Sequence, residues 1–330
     1  MKKIAIITAY YGKLHNYFNF WKKSVEYNAS IDFLLFTDLE IINKPNNLII
    51  YRMSFEEMKA LIQSNFNFPI AFSAPYKICD FRPAFGQIFS SYIKDYDFWG
   101  YTDFDIIYGD LRHFLTEEVL SSYSKIFGRG HLSLMHNDDL NNNLFKCCSI
   151  PNYRSVFSFD INVAFDEYYG FSRYYDKINS KEFYQAILSE DIDCMQYEFH
   201  SHMKKKKDSN KKNIIYEFIN GKLYKIYELN GKVSKEECMC VHFQKRPMQI
   251  KTTILDSFMM IPNSFIPHEE NISTERLYQL GHRINFYPYK YKLIWNRIKT
   301  KWQKIQCKKY NREFGKPQLP TDGGKYYIEP

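Results

Sequence analysis

The chain has 330 residues, a formal net charge of +8, 45% hydrophobic residues and 25% charged residues. This balance excludes an intrinsically disordered chain. The length allows a large α/β domain with a smaller appendage, or two modest domains. The positive charge suits an anionic partner, which can be a nucleotide, a membrane surface or a nucleic acid. The seven cysteines form no C-x-x-C pair. Without a signal peptide or an apolar run of roughly 20 residues, the sequence predicts a cytoplasmic protein with free thiols.

Short apolar runs alternate with helical stretches along the first third of the chain. Residues 4–8 predict a buried parallel strand, and residues 31–36 and 48–51 predict two more. A helix is expected around residues 17–26, and Ser54 is the expected N-cap of another. The alternation predicts a mostly parallel sheet with helices on both faces, which binds ligands beyond the carboxyl ends of its strands.

The pattern changes after about residue 210. Asn220-Gly221 between two apolar runs predicts a hairpin with a type I′ turn, and Asn230-Gly231 leads towards a further strand. We therefore expect a main domain over residues 1–265, with a β-hairpin region at 214–243, and a basic, aromatic helical extension over 266–330. That extension either packs on the main domain or lies on the anionic cytoplasmic face of a membrane.

Asp103 and Asp105 follow directly after an apolar strand. Carboxylates at positions i and i+2 of an extended backbone point the same way, so both can reach one cation. Mg²⁺ and Mn²⁺ take carboxylate oxygens and leave coordination sites for phosphate. The alternative is a surface turn with two acidic residues, and the preceding apolar strand favours the metal site.

Two segments with basic residues lie upstream and downstream of this acidic pair. Lys77, Asp80 and Arg82 cluster ahead of a helical run. The cations there can bind phosphate or ribose oxygens and the aspartate can hold the arginine, or the cluster is a helix N-terminus with surface charges. His242 at a strand end, followed by Lys245, can supply an imidazole ligand and a diphosphate clamp, although a single histidine is more often structural.

Further carboxylates are available for the chemistry at Asp166, Glu167 and Asp191. Each can act as a base on the acceptor side or stabilise an oxocarbenium-like transition state. Each can equally be a helix cap. Residues 130–137 predict a strand near the same cleft.

This combination of segments resembles bacterial glycosyltransferases of the GT-A fold, in particular a group from capsule and lipopolysaccharide gene clusters. The resemblance covers most of residues 1–250, with segments at 8–12, 36–38, 75–86, 99–111, 130–137, 165–167 and 242–246. It implies a Rossmann-like α/β catalytic domain that binds a nucleotide-sugar.

The resemblance also implies the roles of individual residues. The loop with Thr8, Tyr10 and Tyr11, together with Asp38, would flank the base and ribose, and Asp103 and Asp105 would bind the metal. Retaining galactosyltransferase-like families add a histidine ligand and a lysine on the diphosphate, and His242 and Lys245 are suitably placed for these roles. The glycine and tryptophan of that family's motif are absent, so retention or inversion stays open. Asp191 would lie in the acidic segment below the sugar.

The expected reaction moves a sugar from a nucleoside diphosphate to a hydroxyl of a surface-polysaccharide glycan, which can be lipid-linked. The expected donor is UDP-linked and of the galactose type, the cofactor is Mn²⁺ or Mg²⁺, and no nucleic acid takes part. One alternative is a nucleotidyl- or phosphotransferase with the same acidic pair, which predicts a Gly-rich phosphate loop that the N-terminus lacks. Another is a non-enzymatic protein that binds an anionic ligand or a nucleic acid, although no nucleic-acid motif supports it.

Overall fold

The structure, a computed structural model, describes residues 1–148, 152–160, 162–172, 174, 181, 183–184, 188–194, 196–201, 210–282, 291, 294–295 and 298. Its β-strands are Ile4–Ala9 (β1), Asp32–Thr37 (β2), Leu48–Arg52 (β3), Phe98–Thr102 (β4), Ile106–Tyr108 (β5), Lys125–Arg129 (β6), Leu132–His136 (β7), Phe183–Tyr184 (β8), Ser189–Asp191 (β9), Lys212–Ile219 (β10), Lys222–Leu229 (β11), Lys232–Glu237 (β12), Cys240–His242 (β13), Gln249–Ile250 (β14), Ser257–Ile261 (β15) and Ser264–Pro267 (β16).

The α-helices are Phe18–Glu26 (α1), Phe55–Ser64 (α2), Ile78–Phe81 (α3), Phe85–Ile88 (α4), Ser90–Ile93 (α5), Leu111–Phe114 (α6), Glu117–Ser122 (α7), Asp139–Asn143 (α8), Tyr153–Phe157 (α9) and Thr274–Gly281 (α10). Short 3₁₀ turns lie at Pro75–Lys77, Arg82–Ala84 and Leu144–Cys147, and a π-helical turn lies at Tyr168–Ser172.

The main sheet has seven strands in the order β3-β2-β1-β4-β7-β6-β8. Only β7 runs against its neighbours, since the other pairs in this sheet are parallel. Ile4 and Ile6 of β1 pack in one core with α1, whereas Ala5 and Ile7 pack in a second core with α2. A strand that is buried on both faces needs consecutive apolar residues, as the sequence of β1 provides. The predicted α/β class, with a Rossmann-like, mostly parallel sheet and helices on both faces, is confirmed.

The start of α2 follows the sequence prediction. Ser54 Oγ accepts from the backbone N–H of Glu57 at 3.2 Å, and the Glu57 carboxylate accepts from the N–H of Ser54 at 2.7 Å. This capping box satisfies two backbone donors at the helix N-terminus. The helical run expected between Arg82 and Ile93 is instead divided into a 3₁₀ turn, α4 and α5. Pro83 lies in that turn and has no N–H to continue an α-helix.

A second sheet of six strands has the order β12-β11-β10-β15-β16-β14. The turn at Asn220 and Gly221 confirms the predicted hairpin, with φ of 46° and 85°, and Asn230 and Gly231 form a second such turn, with φ of 51° and 74°. Both residues of each turn thus have the positive φ of a type I′ turn. The sheet continues beyond the expected hairpin region to β16, which spans the expected domain boundary at residue 265. The division into two domains stays a prediction.

A small third sheet, β5-β13-β9, joins segments that are distant in sequence. β13 is antiparallel to β5 and parallel to β9. After the second sheet, α10 packs Leu277 and Leu280 against Ile215 and Ile226. Most of the helical extension expected over 266–330 lies outside the described residues. Within the described part of the chain, no helix combines the length and apolar character needed to cross a membrane.

Candidate active site

The ends of strands from two sheets bring the acidic pair and a histidine together. β4 ends one residue before Asp103, and its parallel neighbour β1 ends beside it. Asp105 then leads into β5, whose Ile106 lies opposite His242 of β13. On the other side of β13, Asp191 of β9 is the partner of His242. Strand pairing alone therefore places Asp105, His242 and Asp191 side by side.

The imidazole of His242 lies between acidic groups. Its Nε2 is 3.2 Å from Oδ1 of Asp105 and 3.7 Å from Oδ2 of Asp103, and its Nδ1 is 2.8 Å from Oδ1 of Asp191. One ligand atom from each of Asp103, Asp105 and His242 lies within 4.8 Å of the others. Two carboxylates and an imidazole suit a divalent cation such as Mn²⁺, and a metal-binding histidine usually donates its other N–H to a carboxylate. The residues present therefore fit a divalent metal, with Asp191 orienting the ring.

A second group with the spacing of metal ligands is His131, Asp191 and His242. Its members are already engaged with one another and with Ser189, whose Oγ lies 2.9 Å from Nε2 of His131. Asp103 and Asp105 of the first group line both cavities described below, whereas His131 and Asp191 line only the polar one. The group with Asp103 and Asp105 is therefore the better metal site.

The charges of this cluster depend on one another. Burial opposes a charged imidazole, but Asp105 and Asp191 together raise the pKa of His242 well above its usual value. Burial also opposes ionisation of Asp105 and Asp191, and contact with His242 lowers the pKa of both carboxyls. The stacked ring of His131 is neutral, because burial and the charge of His242 lower its pKa to about 4. In the metal-free protein an imidazolium thus balances the acids, so a proton and a metal compete for Nε2.

Arg82 ties the acidic pair to a further carboxylate. One of its terminal nitrogens donates to Oδ2 of Asp166 and to the carbonyl of Gly130, at 2.8 and 2.9 Å, and the other donates to Asp103. Arg82 was expected to bind a phosphate. The structure places it in the wall of both cavities, where it holds Asp103 in position.

Lys77 and Asp80 lie behind the site and line neither of the two cavities. They form a buried ion pair of 2.8 Å, and Nζ of Lys77 also donates to the carbonyl of Val156. The Asp80 carboxylate accepts from the backbone N–H groups of Val163 and Phe165 at 2.9 and 2.8 Å. The pair therefore supports the loop before Asp166 and Glu167, whereas the sequence had suggested direct contact with a phosphate or ribose.

Gln244 and Lys245 adopt the left-handed conformation, with φ of 49° and 59°. This conformation is uncommon for residues other than glycine, and such strain concentrates at functional sites. It turns the backbone N–H of Lys245 onto Oδ2 of Asp105, and Nε2 of Gln244 donates to Asp191 at 2.8 Å. The Nζ of Lys245 lies 3.8 Å from the centre of the Tyr76 ring. Lys245 thus reaches the site with both its backbone and its side chain.

Two cavities meet at the acidic pair. The first, of about 430 Å³, is mainly apolar and is lined on one side by Thr8, Tyr10 and Tyr11. The second, of about 300 Å³, is more polar and is lined by carboxylates and amides. Both cavities share the residues Tyr76, Cys79, Arg82, Asp103, Asp105 and Lys245. The shared wall thus carries Asp103 and Asp105 of the metal site.

Of the residues expected to flank the base and ribose, Thr8, Tyr10 and Tyr11 line the apolar cavity. The Tyr10 ring packs edge-on against Phe104, with 4.7 Å between the ring centres. The buried hydroxyl of Tyr11 has no hydrogen-bond partner among the described residues, so it is a polar atom that a bound ligand can satisfy. Asp38 is exposed and lines neither cavity, although its charge adds to burial in raising the pKa of Tyr11.

Asp166, Glu167 and Asp191 all line the polar cavity. Asp166 is engaged by Arg82, and Asp191 by His242 and Gln244. Glu167 accepts from the N–H of Gly130 at 3.2 Å, and burial together with the charge of Asp103 raises its pKa. Of the three carboxylates predicted to act in the chemistry, Glu167 is the one whose hydrogen bond is longest.

Six residues of the polar cavity were not singled out individually from the sequence: Tyr76, Cys79, His131, Asn162, Ala164 and Gln244. His131 lies in the strand segment expected near the cleft, Tyr76 and Cys79 lie in the marked segment 75–86, and Gln244 lies between two predicted site residues. Asn162 and Ala164 lie in no segment that the sequence marks, because only the folded chain brings their loop to the cavity.

Comparison with models of protein families assigns the chain to one family. A family model described as a family of unknown function (DUF6625) matches residues 6–269. The chain belongs to this family. The region that matches the DUF6625 model contains every candidate site residue, from Thr8 to Lys245. No match was found among the curated proteins.

Among solved structures, this DUF6625 chain is similar to a glycosyltransferase involved in the glycosylation of the major capsid of PBCV-1. The identity is 10% and the TM-score is 0.34, over 57% of this chain and 84% of that one. A likeness at this score carries no conclusion about catalysis, so function is inferred from the geometry of the site.

The charges around His242 predict how the stability of the metal-free protein depends on pH. The raised pKa of His242 contributes stability fully below its unfolded value of 6.5, and this contribution is lost as the pH rises through the folded value. The lowered pKa values of Asp105 and Asp191 contribute stability at pH values above their unfolded pKa of 3.8. This contribution is lost as the pH falls through their folded pKa values. The free energy of unfolding of the wild type should therefore exceed that of His242→Gln by the largest amount at about pH 4–6.5, and by a smaller amount at higher pH.

Urea unfolding in a chelator at about pH 5.5 and about pH 9 measures this difference. The exposed His113 provides the control, since the difference in stability between the wild type and His113→Gln should be the same at both pH values. A His242→Gln difference that grows towards high pH would contradict the assigned charges.

Proposed function

We propose that this chain is a metal-dependent glycosyltransferase that moves a sugar from a nucleoside diphosphate to a hydroxyl group. The observation that supports it best is the position of Asp103 and Asp105 in the wall shared by an apolar and a polar cavity, with His242 beside them in the polar cavity. The apolar cavity suits a base and ribose, and the polar cavity suits a sugar with an incoming hydroxyl. The metal site lies where the diphosphate between these two parts belongs.

Several groups of the site can stabilise the departing diphosphate. A divalent cation on Asp103, Asp105 and His242 would supply positive charge against the phosphate oxygens. Lys245 can add its ammonium group, which reaches the shared wall and lies over Tyr76. Arg82 and Asp191 keep the ligand groups oriented, since each contacts one of them directly.

The finer parts of the proposal rest on the resemblance of the sequence segments. They are Mn²⁺ as the metal, a UDP-linked donor of the galactose type, and a glycan of a capsule or lipopolysaccharide as the acceptor. A nucleotidyl- or phosphotransferase would use the same acidic pair but release a different product. Analysis of the reaction products therefore separates the two: transfer of the sugar leaves a free nucleoside diphosphate.

We assign the role of acceptor base to Glu167. It lines the polar cavity, and its raised pKa brings its proton affinity closer to neutral pH. Asp166 is less suitable because Arg82 engages it at 2.8 Å, and Asp191 is held under His242. A base on the acceptor leads to inversion of the anomeric centre, because the hydroxyl attacks the sugar directly.

The metal site predicts the effect of removing either acidic ligand. Asp103→Asn and Asp105→Asn should each lower sugar transfer by about 100-fold or more, since the metal contributes several kcal/mol to the transition state. Both variants should also lose the thermal stabilisation that Mn²⁺ and a nucleoside diphosphate give together. Asp139→Asn, at an exposed acidic residue of α8, is the control and should behave as the wild type. Undiminished transfer in the presence of a chelator would refute metal dependence.

The base assignment predicts a different pattern for Glu167→Gln. This variant should lower kcat by about 10²–10⁴-fold while the donor still binds, because general base catalysis acts in the chemical step. Proton NMR of the product reports the anomeric configuration, which should be inverted. Glu118→Gln on the exposed surface of α7 is the control. A product of retained configuration, or an unchanged kcat, rules out Glu167 as the base.

We also propose that the C-terminal extension contacts an anionic membrane surface. Tyr291, Ile294, Trp295 and Ile298 have helical spacing and are exposed by 59%, 38%, 71% and 57%. Basic residues accompany them in the sequence, at Lys290, Lys292, Arg297, Lys299 and Lys301. An apolar face flanked by cations is typical of a helix that lies on an anionic lipid surface.

Co-sedimentation of the full chain with vesicles tests this contact. Binding to phosphatidylcholine vesicles with about 30% phosphatidylglycerol should weaken severalfold in the triple variant Ile294→Ser/Trp295→Ser/Ile298→Ser. Ile42→Ser, at an apolar residue that is 66% exposed elsewhere, is the control. Equal binding of the triple variant and the control would contradict the proposal.

A further inference from the structure

Glu190 and Asp191 are neighbours in β9 and project from opposite faces of it, because side chains alternate along a strand. Asp191 faces the candidate active site, where it contacts Nδ1 of His242 at 2.8 Å. Glu190 faces the second sheet, where its Oε2 accepts from Nζ of Lys225 at 3.0 Å and from the Tyr216 hydroxyl at 3.2 Å. A contact that fixes Glu190 therefore also restrains Asp191.

The side chains that face Glu190 form a row across three strands of the second sheet. Tyr216 of β10 is paired with Lys225 of β11, and Lys225 is paired with Glu236 of β12. Directly opposite residues in an antiparallel sheet project from the same face. The Lys225 side chain is only 1% exposed, and it lies between Glu190 and Glu236, whose Oε1 is 3.9 Å away. The low exposure makes the Lys225–Glu190 contact stronger than a surface ion pair.

β9 needs such a contact more than the longer strands do. It has three residues and lies at the edge of the third sheet, with β13 as its neighbour. Backbone pairing sets its register but restrains an edge strand of this length only weakly. The ion pair to the second sheet adds a buried attachment on the face opposite Asp191.

We propose that Lys225 and Glu190 are positioning residues for the metal site, which act by holding Asp191 against His242. The inference rests on the proposed function, because it takes His242, Asp103 and Asp105 as the metal ligands. Residues that orient a metal-binding histidine change metal affinity by about 10–100-fold when they are replaced. Lys225 acts one contact further away, so we expect about a tenfold effect.

The test measures Mn²⁺ binding to the full chain by electron paramagnetic resonance, without any substrate. Lys225→Met should weaken Mn²⁺ binding about tenfold, and Lys225→Arg, which keeps the charge, should restore most of it. In the metal-free protein, nitrogen-15 NMR of the His242 ring should show a weakened Nδ1 hydrogen bond in Lys225→Met only.

Lys235→Met is the matched control. Lys235 forms an ion pair with Glu217, which follows Tyr216 in β10 and therefore lies on the opposite face of the same sheet. Glu217 is buried and Glu190 is partly buried, so each variant takes the lysine away from a carboxylate of low exposure. Both the Mn²⁺ affinity and the His242 signal should stay as in the wild type.

Unchanged Mn²⁺ affinity and an unchanged His242 signal in folded Lys225→Met would overturn the inference. An equal loss in Lys235→Met would overturn it too, since that result indicates general loosening of the sheet. If Lys225→Met does not fold, Glu190→Gln removes the same ion pair and leaves Lys225 beside Glu236. A wild type that binds no Mn²⁺ contradicts the proposed function instead, and the His242 signal then decides the positioning role by itself.

Discussion

The candidate site depends on the hydrogen bond between Nδ1 of His242 and Asp191. This contact turns the ring so that Nε2 faces Asp105 and Asp103. The bond is possible because β13 lies between β5 and β9, so its last residue meets a residue from each neighbour. The three short strands thus bring together Asp105, Asp191 and His242. Asp105 and Asp191 are 86 residues apart in sequence, and Asp191 and His242 are 51 residues apart.

Buried charges around the site are balanced in pairs. Arg82 bridges Asp103 and Asp166, Lys77 pairs with Asp80, and His242 lies between its acids. An unpaired charge in such surroundings is costly, so each pair also fixes the geometry of its two segments. Arg82 and Lys77, both expected as phosphate ligands, thus have carboxylate partners in the structure. The ammonium group of Lys245 lies over the ring of Tyr76 in the wall of the cavities.

The sheet and its turns could be predicted because their causes are local. The consecutive apolar residues of β1 predict a strand buried on both faces, and Asn220-Gly221 predicts a tight hairpin. Ser54 and Glu57 likewise form a cap within four residues of sequence. The division of the helical run between Arg82 and Ile93 into a 3₁₀ turn and short helices was not predicted from the sequence. The extent of the second sheet, from β10 to β16, follows from long-range strand pairing.

For the site, the sequence by itself determined the chemical types and the acidic pair, since an apolar strand followed by Asp103 and Asp105 defines its own local geometry. The tertiary structure alone decided which distant residues join that pair. It brought His242 onto the acidic pair and Asp191 behind the imidazole, and it moved Lys77 and Asp80 away from the cavities. The physical reason is that strand pairing and the neutralisation of buried charges act between segments far apart in the chain, and no local pattern records them.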